Sequence, residues 1–319
     1  MSKAVLGIDV AKLKLDVALM FDGKTLPRKF DNSPSGHKLL HGWLMSLRFE
    51  EVHVCLEATG TYGEAIAEFL YEKGFRVSVV NPLRIKSYAL VDLKRNKTDT
   101  ADARTIADFC LVKNPDDWHP LPPQIKHLQC LTRRVEALEQ MLGSERNRLG
   151  TCAKEVRPSV KRIIRTLEKE IEQLTRLIQE HIDNHPDLKQ QSKLLQTIPG
   201  IAKKTAQTLL SEAEFSQFAS ARALAAHAGL TPRKDQSGTS VNRTRLSKLG
   251  NARLRKALYF PAITAMRYNQ IIITFSSQLS KKGKTPMQII CAAMRKLLHI
   301  AFGVIKHNQP FNQNLASYT

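Results

Sequence analysis

The chain has 319 residues, enough for two domains with separate cores. Its 49 Lys and Arg against 29 Asp and Glu leave a formal net charge of +20, which points to a polyanionic partner and argues against a generic soluble enzyme for a small molecule. Nucleic acid is the default polyanion; no apolar run of about 18 residues and no signal peptide is found, so no membrane association is expected. The five cysteines are scattered and form no C-x-x-C pair, which disfavours a disulfide framework or a zinc site and fits a reducing cytoplasm.

The first third reads as strands followed by an α/β alternation. Val5 to Val10 and Leu15 to Phe21 predict adjacent strands, and Lys24 to Phe30 a third, polar one. Asn32-Ser33-Pro34-Ser35 starts a helix with Leu39, Leu40, Trp43, Leu44 and Leu47 at helical spacing. Glu51 to Leu56 predicts a buried strand, Gly63 to Lys73 a helix stopped by Gly74, and Arg76 to Val80 another strand. A short helical piece from Asn81-Pro82 then leads through a basic loop (Lys94, Arg95, Lys97) to Asp99 and Asp102. Three strands, helix, strand, helix, strand, helix is the order of an RNase H-like fold.

Two acids interrupt apolar segments. Asp9 follows Ala4-Val5-Leu6-Gly7-Ile8, and Glu57 ends Val52-His53-Val54-Cys55-Leu56. Strands are depleted in Asp, and an unpaired buried carboxylate is costly, so a cation is expected nearby. Asp99 and Asp102 lie three apart, on one face of a helix. Taken alone, that pair also suits a helix N-terminus with Thr98 as cap. Capping explains neither Asp9 nor Glu57. Four convergent carboxylates fit paired Mg²⁺ or Mn²⁺ ions clamping a phosphoryl displacement.

Asp116 to Pro123 predicts a linker. Beyond it, Ile125, Leu128, Leu131, Val135, Leu138 and Leu142 repeat at steps of three and four, as do Val160, Ile164, Leu167, Ile171, Leu174 and Ile178. Gly143, Gly150 and Pro158 mark where the chain turns between them. The spacing fits an antiparallel coiled-coil hairpin, a seam to another subunit, or an ordinary amphipathic pair. A further domain begins near Pro186. Leu194 to Ala206, with Ile198-Pro199-Gly200-Ile201 at its centre, resembles a helix-hairpin-helix presenting N–H groups to a phosphate; a plain helix-helix turn is the alternative.

After Leu224 to Ala228, which closes a helix, Arg233 to Arg245 predicts a basic loop with Ser237 beside Gly238 and Ser240 three residues on. The next helix is expected to carry Lys248, Arg253, Arg255 and Lys256. Ser237 reads as a turn residue or as a nucleophile flanked by guanidiniums. Isoleucines and methionines after Met287 form the core face of another helix.

Together these residues resemble a family. Gly7-Ile8-Asp9-Val10-Ala11-Lys12, Leu56-Glu57-Ala58-Thr59-Gly60 and Lys97-Thr98-Asp99-Thr100-Ala101-Asp102-Ala103 resemble the acidic motifs of the DEDD insertion-sequence transposases, bridge-RNA-guided relatives of the Piv-type DNA invertases. Ile198-Pro199-Gly200, Ala228-Gly229-Leu230-Thr231-Pro232, Gln236-Ser237-Gly238 and Ser247-Lys248-Leu249-Gly250-Asn251 are similar to their second conserved domain. The resemblance implies an α/β RNase H-like (RuvC-like) domain over 1–115, a helical coiled-coil linker over 116–185, and a mostly helical transposase domain with a helix-hairpin-helix over 186–319. It implies that Asp9, Glu57, Asp99 and Asp102 bind Mg²⁺ or Mn²⁺ and that Ser237 attacks DNA, with Ser240 the rival for that role. It further implies donor and target double-stranded DNA and a structured noncoding guide RNA as partners, a homo-oligomer (dimer or tetramer), and a bacterial, nucleoid-associated location. The alternative is a RuvC-like structure-specific endonuclease that uses water as nucleophile.

Overall fold

The computed structural model describes residues 3–58, 60–91, 99–237 and 241–313, with backbone alone at 3, 91, 99, 100, 234, 235, 237 and 241–243. The chain forms two compact units, Met1–Pro120 and Leu121–Thr319.

The first unit is a sheet with helices on both faces. β1 (Lys3–Val10), β2 (Lys14–Phe21) and β3 (Lys24–Asp31) form an antiparallel meander. After α1 (Pro34–Ser46), β4 (Glu51–Glu57) pairs parallel with β1. A 3₁₀ turn at Gly60–Gly63 and α2 (Glu64–Glu72) lead to β5 (Arg76–Val80), parallel to β4. The order across the sheet is β3-β2-β1-β4-β5. α3 (Pro82–Val91) and α4 (Asp99–Lys113) complete the unit. The mixed α/β architecture expected from the sequence is therefore present, element by element.

Residues 4–8 and 52–56 are buried almost without break, the pattern of strands covered on both faces. Leu6, Ile8, Val17, Val54 and Leu56 pack with Leu40 and Leu44 of α1 and Ile66 and Leu70 of α2. On the opposite face Val5, Cys55 and Val80 pack with Ile85, Ile106, Phe109 and Cys110 of α3 and α4. β3 carries Pro27 and is largely exposed, as suits an edge strand. Ser33 caps α1, its Oγ accepting from Gly36 N at 3.2 Å.

The segment after α4 is no loose tether. Trp118 N donates to Val77 O at 2.7 Å, Ser78 Oγ donates to Asp116 O at 2.8 Å, and Arg76 Nε meets Asp117 Oδ1 at 2.6 Å. Residues 116–118 thus lie along β5, which among the described residues has no strand on its outer side.

In the second unit, α5 (Pro123–Thr151) and α6 (Arg157–Asp183) pack as an antiparallel hairpin. Ile125 and Leu128 share a core with Ile178 and Ile182, and Leu142 meets Val160 and Ile164 toward the other end. α5 runs through Gly143 and Gly150, and the turn comes at 152–156, just before Pro158 in the first turn of α6. α7 (Pro186–Gln196), α8 (Lys203–Glu212) and α9 (Ala221–His227) follow.

Arg233 to Arg245 is not the loop expected. β6 (Pro232–Ser237) and β7 (Val241–Leu246) form a two-stranded antiparallel ribbon, paired from Pro232–Leu246 to Ser237–Val241. Its residues lack the apolar alternation that marks a half-buried strand, and those with described side chains from Arg233 to Arg245 are exposed. Four helices remain: α10 (Ala252–Ala257), α11 (Tyr259–Tyr268), α12 (Gln270–Lys281) and α13 (Pro286–His307). Lys248, expected on a helix, precedes α10 in the left-handed region at φ +57°.

α13 passes for a membrane span by length and mean composition, but Arg295 and Lys296 interrupt it, so it holds no unbroken run of about 18 apolar residues. Here it is a core helix, with Leu297, Leu298, Ile300, Ala301 and Val304 buried against its neighbours.

A buried carboxylate roots the ribbon. Glu212 accepts from Arg133 Nε at 2.8 Å and Nη2 at 3.1 Å, and from Asn251 Nδ2 at 2.8 Å. Asn251 also caps α10, its Oδ1 accepting from Leu254 N at 3.0 Å. Beside it, Arg255 Nη1 donates to the carbonyls of Ala228 (3.0 Å) and Lys248 (3.2 Å), the two ends of the ribbon's base. Gly250, at φ +136°, allows this closeness: a Cβ there would stand 2.1 Å from His227 O.

Burial pushes the Glu212 carboxyl up, but hydrogen bonds from Arg133 and Asn251 outweigh it and hold the group below its ordinary value. A depressed folded-state value means stability that is complete above the unfolded-state pKa, about 4.3, and is lost as pH falls through the folded one. The melting temperature should therefore fall with pH below about 4.3, and Glu212→Gln should flatten that part of the profile. Arg133→Ala should cost about 2–3 kcal/mol in chemical denaturation at pH 7, the low side for a buried pair because its side chain is 34% exposed. Full parental stability in that variant would show the pair to be ornamental.

Candidate active site

Asp9 and Glu57 end adjacent parallel strands. Ile8 is level with Leu56, so the two acids are level one residue further on, at the carboxyl ends of β1 and β4. That edge is where open α/β sheets bind ligands. Both acids fall on the face covered by α3 and α4, since Glu57 pairs with Val80 and Asp9 has the parity of Val5.

α4 brings the second pair of acids to the same end. A Cβ on Gly7 would stand 2.2 Å from Ala103 O and 2.4 Å from Ala107 N, so the helix backbone rests directly on β1. Further along, the Cys110 thiol hydrogen bonds with Cys55, which with burial holds the Cys55 thiol far above its ordinary value. Val5 and Cys55 share the same small core with Cys110, whereas Ala103 lies at Gly7. α4 therefore runs against the direction of β1 and β4 and sets its N-terminal turn, Asp99 to Asp102, at the end of the sheet where Asp9 and Glu57 stand.

Asp9, Glu57 and Asp102 are each half-buried. The Asp99 side chain lies outside the described residues. Among the described residues no three His, Cys, Asp or Glu side chains stand close enough together to hold a metal ion. The donor chemistry is all carboxylate, which is what Mg²⁺ and Mn²⁺ take.

Two residues here escaped the reading from sequence. Asp16 lies directly across from Asp9, buried to 2% exposure, with Lys14 Nζ and Lys29 Nζ each 3.3 Å from its carboxylate. It carries the same signal as Asp9, an acid inside an apolar strand. Asn32 ties together the loops that follow both acid-bearing strands: its Nδ2 donates to Ala11 O at 2.9 Å and Tyr62 O at 3.1 Å. Its Oδ1 accepts from Nε2 of buried His37 at 2.9 Å. Burial holds the His37 imidazole below its ordinary value, so it stays neutral.

The other expected site residues lie in the second unit. Ser237 is the terminal residue of β6, paired with Val241, about 17 Å along the ribbon from Pro232 at the usual rise per residue. Its side chain, and all of Gly238 to Ser240, lie outside the described residues, as do Lys94, Arg95 and Lys97. The register places Arg233, Asp235, Arg243 and Arg245 on the parity of Ser237, and Lys234 on the other.

The expected basic helix face divides. Arg253 Nε and Lys256 Nζ each lie 3.1 Å from Glu136, and Arg255 holds backbone carbonyls. In the Ile198–Ile201 turn, Gly200 is fixed by packing, since a Cβ would stand 2.7 Å from Pro261 O. The first turn of α8 beyond it has no side-chain cap, and Lys204 pairs with Glu139 at 2.5 Å.

Comparison with known proteins places this geometry. A family model described as a transposase, of the DEDD type of IS110, matches residues 6–158, and one described as the transposase IS116/IS110/IS902 family matches residues 192–277. The chain is 36% identical over 321 residues to the pilin gene-inverting protein of Moraxella bovis, covering 99% of both. This chain belongs to the IS110 family of transposases. The pilin gene-inverting protein of Moraxella lacunata is likewise 36% identical, with 99% of both chains covered. The transposase for insertion sequence element IS1328 of Yersinia enterocolitica is 24% identical over 283 residues, 78% of this chain and 82% of that protein. Membership makes the chain a DNA-recombining enzyme with DNA as substrate. The first match spans Asp9, Glu57, Asp99 and Asp102; the second spans Ser237 and the residues that root its ribbon.

Asn32→Ala removes the bonds between the two acid-bearing ends, whose carbonyls are partly exposed and can turn to water, at about 0.5–1.5 kcal/mol. Recombination of a plasmid reporter should fall at least tenfold in this variant with duplex DNA binding kept. Parental recombination would show that the loops hold their places without it.

Proposed function

We propose that this transposase cuts and rejoins donor and target DNA through a phosphoserine intermediate on Ser237, with Asp9, Glu57, Asp99 and Asp102 binding Mg²⁺ or Mn²⁺. What supports it is that Asp9 and Glu57 end adjacent strands at the sheet edge reached by the first turn of α4, in a chain of a DNA-recombining family. The sheet order and its two helical faces support an RNase H-like, RuvC-like domain over 1–115. The helical hairpin supports the linker over 116–185 and leaves 186–319 as the transposase domain, with the Ile198–Ile201 turn as a helix-hairpin-helix grip on backbone phosphate. A structured guide RNA supplying sequence specificity, assembly as a dimer or tetramer, and a place at the bacterial nucleoid complete the proposal; the +20 charge suits both nucleic acids.

Bound at the carboxylates, the divalent ions would supply charge neutralisation for the phosphoryl group in flight. The serine does the rest. Its Oγ forms a bond to phosphorus as one P–O bond of the strand breaks, and its proton ends on the departing strand oxygen. The number of phosphoester bonds is unchanged, so rejoining, with another strand's hydroxyl displacing the serine, needs no nucleotide cofactor. Arg233 and Arg243 share the backbone parity of Ser237, and their guanidiniums would offset charge that develops on the phosphate.

On suicide DNA, Ser237→Ala should abolish both strand cleavage and the covalent protein–DNA adduct, whereas Ser240→Ala should keep partial activity. An adduct peptide modified at Ser240 would move the nucleophile, and cleavage with no adduct would replace it with water. Asp102→Asn should lower recombination by two or more orders of magnitude with DNA binding retained. If instead it recombines at the parental rate, Asp102 merely complements the α4 N-terminus.

A further inference from the structure

A cavity of about 650 Å³ opens between the start of α9 and one side of α13. Arg222 lines it from α9; Arg295, His299, Phe302 and Lys306 line it from α13. Those four fall at steps of four, three and four, a single stripe along the helix. Met294, Leu297, Leu298 and Ala301 occupy the other side and fill the core. α13 is thus amphipathic in an unusual sense: one face is core, and the other is cationic and turned into a cavity.

Among the described residues no acidic residue lines this space. Among the described residues neither Arg222 nor Arg295 forms an ion pair. The Lys306 ammonium lies over the Phe302 ring, 5.8 Å from its centroid. His299 Nε2 is buried and has no hydrogen-bond partner among the described residues.

We propose that this cavity is a phosphate-binding pocket for a nucleic-acid strand, separate from the acid-bearing sheet edge and from the ribbon. Arg222 and Arg295 grip one phosphodiester from opposite walls, and Lys306 meets the adjoining phosphate. Burial and the neighbouring Arg295, Lys296 and Arg222 hold the imidazole of His299 at about 4, so at pH 7 it lines the cavity as a neutral ring. The volume lies within the roughly 300–1,000 Å³ of sites that enclose small ligands, room for a phosphate with its sugar and more than a bare ion fills. Contacts of this kind position a strand and carry no sequence information.

The test uses the full-length protein and reads binding, so it stands or falls separately from the serine and the acids. Affinity for a labelled duplex DNA and for a labelled RNA hairpin is measured by fluorescence anisotropy at several salt concentrations between about 50 and 200 mM. Arg222→Ala/Arg295→Ala should lower the salt slope by about 1 for at least one of the two, with a roughly tenfold loss of affinity that does not depend on sequence. Which nucleic acid shows the loss identifies the strand. The charge-conserving Arg222→Lys/Arg295→Lys should keep most of the slope, which distinguishes lost phosphate contact from lost fold. Arg253→Ala/Lys256→Ala, removing cations already paired with Glu136, should change the slope less. Unchanged slope and affinity for both nucleic acids would overturn the proposal. So would calorimetry showing that adenosine monophosphate binds the parent and not the Ala variant while strand binding stays intact, since the pocket would then serve a free nucleotide.

Discussion

The first unit depends on how closely α4 lies on β1. An ordinary helix stands off a sheet by the thickness of its side chains. Here residue 7 has none, and the helix offers Ala103 and Ala107, so backbone meets backbone. This contact fixes the height of α4 above the sheet and, because Asp102 directly precedes Ala103, the place of its first turn. Asp9 follows Gly7 by two residues on the same face. One close approach therefore sets two of the acidic segments relative to each other, and the parallel pairing of β1 with β4 sets the third. Every other part of the sheet supports this alignment: the apolar cluster under α1 and α2 holds the strands level, and Asn32 joins the loops beyond them.

The second unit solves a different problem, that of lodging many cations without self-repulsion. Some are consumed by structure. Arg133 neutralises Glu212, Arg255 stitches carbonyls, and Arg253 and Lys256 share Glu136. These residues make the platform from which the ribbon rises. Other cations have no such duty, among them Arg222 on α9 and Arg295 on α13, which face one cavity.

Most of the α/β unit was legible because burial on both faces leaves nearly continuous apolar strands, against which Asp9 and Glu57 stand out. Asp16 carries the same mark and was passed over, since a strand acid facing two lysines looks no different in sequence from one facing a cation. The ribbon was illegible for the opposite reason. With neither face buried, Arg233 to Arg245 has no periodicity, and only backbone pairing makes it a strand pair. Gly143 and Gly150 suggested a turn where twenty-nine residues run as one helix, Pro123 to Thr151; glycine costs a helix only about 1 kcal/mol, and packing along α6 outweighs that. Arg255 looked like a phosphate ligand because sequence cannot tell a guanidinium facing solvent from one facing carbonyls. The nucleophile was read by family resemblance, and neither periodicity nor composition distinguishes Ser237 from Ser240.

α13 has a consequence for how this chain is made. Its mean composition reaches that of a membrane span, and its apolar face is covered by α7, α9, α11 and α12. All four precede it in the chain. Domains generally fold from the N-terminus as synthesis proceeds, so when α13 leaves the ribosome its cover is already outside and waiting. A rearranged chain, with α13 moved ahead of α7 by circular permutation, would keep every contact and yet present the helix bare for the seconds that synthesis takes. Aggregation and capture by membrane-insertion machinery would then compete with folding. The order of elements in this transposase thus protects its most hydrophobic segment in time as well as in space.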